Sequence, residues 1–123
     1  MTETEIDPGE INGYHAHIYY RDDDERAKAA TLREVLSADP EMRMGRWRDE
    51  PVGPHPLPMY QVAFPSAEFA KVVPWLMLNR DGLTILVHPE TGDDVIDHRD
   101  FPLWLGEKLD LRISFLEAGN KSA

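Results

Sequence analysis

The sequence predicts an α+β domain of βαββαβ order: a four-stranded antiparallel sheet, two helices on one face and a C-terminal extension. Three observations predict it. Strand-like runs recur at residues 13–20, 41–48, 59–64 and 83–88. Two stretches between them carry apolar residues at helical spacing. A chain of 123 residues, 41% of them hydrophobic, suits one core, and it holds no internal repeat or long linker. Residues 1–123 therefore read as a single domain with an ordered core of about 12–118, fraying in the first ten residues and from Gly119 onward.

Each element has its own signal. Residues 13–20 are β-branched and aromatic, hence strand 1. Asp22, Asp23, Asp24 and Glu25 lack the spacing and glycine of a calcium loop; they suit an N-cap and first turn. The helix they open runs to about Ser37 and buries Ala29, Leu32, Val35 and Leu36, until Asp39-Pro40 stops it. EMRMGRWR at 41–48 is strand 2. From Glu50 to Pro58 four prolines make a stiff connection. MYQVAF at 59–64 is strand 3. Ser66 caps a second helix whose buried stripe is Phe69, Val72, Val73, Leu76 and Met77, kinked at Pro74 and ended by Asp81-Gly82. LTILVH at 83–88 is strand 4, followed by a turn-rich loop and a short helical or irregular segment around FPLWLGEKL. This order is the split-βαβ, ferredoxin-like pattern, with strand order 4-1-3-2.

Composition removes several function classes. With no cysteine, disulfides, thiolate catalysis, zinc ribbons and iron–sulfur clusters are excluded. A net charge of −10 repels nucleic acid. No apolar stretch reaches the ~20 residues of a membrane helix, and MTETEIDPGE lacks the blocks of a signal peptide, so a soluble, cytoplasmic protein is expected. No dinucleotide-binding glycine motif, P-loop or nucleophile elbow is present.

Strand alternation then sorts the histidines. If Ala16 and Ile18 face the helices, His15, His17 and Tyr19 face the other, open side. By the same rule Leu83, Ile85 and Val87 face the helices and Thr84, Leu86 and His88 the open side; Tyr60, Val62 and Phe64 are core and Gln61 is open. Taking strands 1 and 3 as parallel neighbours, His15, His17, His55 and His88 gather at one edge of the sheet. Convergent neutral imidazoles suit iron, zinc, copper or nickel. A three-histidine site is the simpler arrangement; Glu90 offers a carboxylate for a two-histidine variant, or is a solvated turn residue.

Three stretches carry a family resemblance: Tyr14-His15-Ala16-His17-Ile18-Tyr19; Gly53-Pro54-His55-Pro56 leading into Met59-Tyr60-Gln61-Val62; and His88-Pro89-Glu90-Thr91-Gly92-Asp93 with Asp97-His98 and Trp104-Leu105-Gly106. On these the chain resembles the DOPA 4,5-dioxygenase family, small extradiol-type dioxygenases. The resemblance implies ring opening of a catechol such as DOPA by O2 at Fe(II). It implies His17, His55 and His88 as ligands and His15 as acid/base, with the two strand-1 roles exchangeable. Tyr19 and Gln61 would orient ring and oxygen, and His98 and Arg99, on the loop after strand 4, would hold a substrate carboxylate. Trp75 and Trp104 read as packing residues, and Trp47 as core packing or a pocket wall. The open face is expected to be covered by a second copy, as a homodimer, or by the C-terminal segment. The competing reading is a non-catalytic metal- or ligand-binding dimer module of the same fold.

Overall fold

The computed structural model describes residues 5–122. The fraying expected at residues 1–4 and 123 lies outside them. Five strands and four α-helices alternate: β1 (Tyr14–Tyr19), α1 (Asp23–Ser37), β2 (Arg43–Met44), β3 (Met59–Phe64), α2 (Phe69–Asn79), β4 (Ile85–Pro89), α3 (Asp94–Arg99), β5 (Leu103–Leu105) and α4 (Ile113–Ser122). The sheet order is β2-β3-β1-β4-β5, and every neighbouring pair is antiparallel. Among the described residues no helix is long and apolar enough to cross a membrane.

The α+β class and the antiparallel sheet are as expected; the strand count is not. LWL at 103–105 pairs with β4 as a fifth strand, where a short helical or irregular segment was expected. Alternation explains why: Leu105 enters the helix-side core, while Trp104 stacks on Tyr19 across the other face. The pairing of β1 with β3 is antiparallel, not parallel. Crossover through α1 returns the chain to the direction of β1, so β3, reversing after β2, runs against both.

β2 is two residues where eight were expected, and the reason is a bulge. Met44 pairs with Val62 and Arg48 bridges Met59. Three residues therefore lie between these pairs on one strand and two on the other, so Gly45 and Arg46 together oppose Gln61. Gly45 N donates to Gln61 O at 2.7 Å. A Cβ at Gly45 would meet that oxygen at 3.1 Å, a contact that favours glycine here.

The helix-side face holds the main core: Ala16, Ile18, Tyr60, Val62, Phe64, Ile85 and Val87 from the sheet, against Ala29, Leu32 and Leu36 of α1 and Val72, Val73 and Leu76 of α2. Asp22 caps α1 by accepting from Glu25 N at 2.8 Å, which gives the acidic run its role. Val35 and Met77, expected in the core, are 53% and 50% exposed. Each lies roughly 90° around its helix from the centre of the buried stripe, at 100° per residue. Ser66 does not cap α2 but begins a 3₁₀ turn, Ser66–Glu68, and its hydroxyl donates to Ile11 O. α2 continues through Pro74. Trp47 packs on this core edge-on to Tyr60, with the Arg26 guanidinium 4.0 Å from its ring centroid, so it lines no pocket on the histidine side.

The second face is covered by the chain itself. Tyr19, Met59, Leu86 and Leu109 form a small apolar cluster flanked by Leu57, Trp104 and Leu111. The proline-rich segment arches over it, turning at Gly53 (φ +58°), and Arg112 N donates to Pro54 O at 2.8 Å to tie the arch to the C-terminal segment. α4 extends this cover through the stretch read as a tail.

Candidate metal centre

β1 builds the site because it is the central strand and alternates strictly. His15 and His17 stand on the second face; His15 lies opposite His88 of β4, and His17 lies between Leu86 and Gln61. His55 reaches them by a different route from the one expected. Antiparallel pairing puts Met59 beside Tyr19, at the far end of β1. The arch then folds back over the sheet and sets the His55 ring 4.2 Å from that of His17, centroid to centroid. His98 completes the group from above. It is not on a loop but on α3, which Asp93 caps by accepting from Val95 N and Ile96 N. Its ring lies 4.0 Å from that of His88. All five histidines of the chain thus meet in one place.

Their nitrogens sort by partner. His88 Nδ1 lies 2.9 Å from Pro89 O, and His98 Nδ1 lies 2.7 Å from Asp94 O. A carbonyl only accepts, so both Nδ1 atoms carry the proton and both Nε2 atoms present a lone pair. His55 Nδ1 is 2.7 Å from the Tyr19 hydroxyl, leaving Nε2 toward the cluster. His17 Nε2 is 3.0 Å from His88 Nε2, while His17 Nδ1 is buried with no hydrogen-bond partner. Two triads of donor atoms, each mutually within 4.8 Å, share His17: His15, His17 and His88, and the fully buried His17, His55 and His98.

Burial holds His15, His17, His55 and His88 toward their neutral forms. His17 is held well below the usual histidine range, first by desolvation and then by His55, His88, His98 and His15. His55 and His88 are pushed down to about 3, chiefly by burial and next by His98. His15, only half-buried, is lowered by burial and His98, with Asp94 and Asp97 pulling the other way. Neutral imidazoles are what a metal needs; protonated ones would repel it. An orphaned buried nitrogen, a set of lone pairs fixed by carbonyl partners and the absence of thiols fit a borderline cation such as iron or zinc.

Carboxylates stand behind the histidines. Glu90 Oε1 lies 3.0 Å from His15 Nδ1 and 3.6 Å from His88 Nδ1, so this residue is part of the site. Burial, then Asp97 and Asp94, push Glu90 up to about 7. Asp97 is wholly buried and accepts from Thr91 N at 2.9 Å and Thr91 Oγ1 at 2.5 Å, pinning the start of the 91–97 segment to the helix that carries His98. Sequence reasoning gave Asp97 no role; the signal was Thr91 and Asp93 ahead of a short helix, a capping pattern. Of the remaining expected residues, Gln61 neighbours His17 in register. Arg99 is half-exposed and engaged twice by the Asp100 carboxylate at 2.9 Å.

The comparisons with known proteins agree with this geometry. The model of the Dopa 4,5-dioxygenase family matches residues 14–115. The chain belongs to this family. It is 34% identical over 115 residues to a DOPA 4,5-dioxygenase of Amanita muscaria, covering 87% of this chain and 50% of the relative. It is 37% identical over 123 residues to an uncharacterised 21.2 kDa protein of Botryotinia fuckeliana, covering 91% of this chain and 67% of that protein. The chain therefore spans half to two thirds of these relatives' lengths. A crystal structure from Nostoc punctiforme, provisionally named a dioxygenase, superposes with a TM-score of 0.90 at 57% identity, covering 93% of this chain and 98% of that one.

Proposed function

We propose that this chain is a non-haem Fe(II) dioxygenase that opens a catechol ring beside one hydroxyl, in the extradiol manner, with O2 as co-substrate. The observation that carries this reading is His17: it belongs to both donor triads, and its Nδ1 is buried without a partner. Membership of the family and the name of the Amanita relative support the same chemistry. We read β1 to β4 as a ferredoxin-like unit and β5 as its addition.

In this reading His17, His55 and His98 hold the ion. Their donors form the triad buried throughout, and the choice leaves His15 free to act with Glu90. Fe(II) held there would supply the redox chemistry that activates O2. The chain supplies the rest. His15, half-exposed and neutral, accepts a hydroxyl proton from the catechol. Glu90, lifted to about 7, stands 3.0 Å behind it to share that proton near neutral pH and return it later. Tyr19 fixes the His55 ring, as partners behind metal ligands do. Gln61 offers an amide beside His17 to orient a ring oxygen. Leu109, Leu111 and Trp104 keep water from this side of the sheet.

Protein loaded with Fe(II) without oxygen and then exposed to air is expected to consume O2 and form a yellow ring-fission product with a catechol panel. No turnover over the panel with iron bound sinks the reading. Metal content of His98→Ala and His88→Ala decides the ligand set: loss in the second alone transfers the assignment to His15, His17 and His88.

A further inference from the structure

We propose that Arg46 and Arg48 are the residues that read a side-chain carboxylate of the catechol substrate, from a subsite beside the metal centre. The proposal rests on the catechol reading above. Its basis is the bulge in β2. The extra residue there lets both Gly45 and Arg46 oppose Gln61, on the face that carries His17. Trp47 turns into the opposite, helix-side core. Arg48 is paired with Met59, whose side chain lies in the cluster on the histidine face. Residues directly opposite in a sheet share a face. Both guanidinium groups therefore stand on the histidine side of the sheet.

A groove joins them to the site. It is lined by Gly45, Arg46, Arg48, Gly53, His55 and Gln61, with Val52 and Met59 at its sides. His55 is the metal-centre residue in its wall, and in register His17, Gln61 and Gly45 follow one another across β1, β3 and β2, two strand spacings or about 10 Å. That is the reach of a catechol carrying a short side chain. Gly45 leaves the floor bare between Gln61 and the two arginines.

Charge selects the ligand. Among the described residues Arg46 and Arg48 form no ion pair, a state they share with Arg33, Arg43, Arg80, Lys108 and Arg112; of these seven, only Arg46 and Arg48 line the groove beside His55. The groove walls hold no carboxylate. The neighbouring depressions do: Glu41 and Glu90 line the one beside His15, and Asp100 and Asp110 the one beside His98 and Arg99. Two unpaired guanidinium groups in an acid-free groove suit a carboxylate, which each can grip with two N–H donors. Arg99, expected from sequence to do this, already grips Asp100.

The test is anaerobic calorimetric titration of the Fe(II)-loaded protein with 3-(3,4-dihydroxyphenyl)propionate and with neutral 4-methylcatechol. The wild type is expected to favour the acid by at least tenfold. In Arg46→Gln/Arg48→Gln that ratio is expected to fall to about one, while Arg99→Gln keeps it. A ratio near one in the wild type overturns the subsite. So does a ratio that survives the double change, or one lost in Arg99→Gln instead. Both arginines are solvent-facing, and a thermal melt matching the wild type shows that the double variant is folded. A tenfold preference without O2 uptake refutes the dioxygenase reading and leaves the subsite standing; O2 uptake without the preference does the reverse.

Discussion

The two faces of this sheet are made by the same strands and covered by different means. On one, Ala16, Ile18, Val62 and Val87 meet two amphipathic helices in a contact that is apolar apart from the Tyr60 hydroxyl, which donates to Ala29 O at 2.7 Å. On the other, His15, His17, Gln61 and His88 meet a proline-rich arch, a six-residue helix and a C-terminal segment. The first cover is interchangeable hydrophobic area. The second is held by named polar contacts: Tyr19 to His55, Thr91 to Asp97, Arg112 to Pro54. Stability belongs mainly to the regular face and chemistry to the irregular one.

Perturbing each face in turn separates these roles. The largest effect is expected from His17→Ala, which removes the donor common to both triads. Metal content after iron loading falls to background and catechol turnover drops by at least about 10³-fold, yet the melting temperature of the metal-free protein holds or rises, because a strongly desolvated imidazole has been removed. Retained stoichiometric iron refutes the shared-donor assignment.

Acid comes next. His55 and His88 have folded pKa values of about 3 against 6.5 when unfolded. Below 6.5 the unfolded chain takes up protons that the folded chain refuses, so stability falls as pH drops from 6.5 toward 3. Each group costs about 1.4 kcal/mol per pH unit in that window, or about 4 kcal/mol for the two together at pH 5. Urea titrations of metal-free Glu90→Gln protein at pH 7.5 and 5 measure it, since Glu90, lifted to about 7, would gain stability over the same window and mask part of the loss. Equal midpoints count against the burial of neutral imidazoles.

On the helix face, Leu76→Ala empties a fully buried site and is expected to cost about 3 kcal/mol, with the same loss at both pH values and full iron binding once folded. A change in iron affinity per folded molecule would mean that the faces are coupled. The smallest effect is that of Tyr19→Phe, which removes only the hydroxyl 2.7 Å from His55 Nδ1. Iron affinity is expected to fall by about 10- to 100-fold with the fold intact, as competition with a chelator would show.

The regular face was legible in the chain because period and burial coincide there: alternation in Tyr14–Tyr19 and the stripes of α1 and α2 name their core residues, failing only at Val35 and Met77 on the stripe margins. The histidine face was legible only where strands supply it. His15, His17 and His88 follow from alternation. His55 was placed at the right site by a mistaken strand direction; the antiparallel pairing leaves it to a backward fold of the arch, which no local pattern encodes. His98 and Asp97 depend on a six-residue helix, too short to show periodicity. The aim of Arg46 depends on one extra residue in an edge strand, visible only once both partners of the ladder are known.

The division of the five histidines has one more consequence. Three stand on strands hydrogen-bonded within the sheet, β1 on both sides, and two on segments laid over it. Local opening of a cover takes far less free energy than melting a central strand. Amides of His15 and His17 should therefore exchange with solvent only when the whole domain unfolds, and those near His55 and His98 much sooner. In the proposed set of His17, His55 and His98, an ion would have one permanent donor and two releasable ones, and its coordination could be remade around His17 without the domain ever losing its shape.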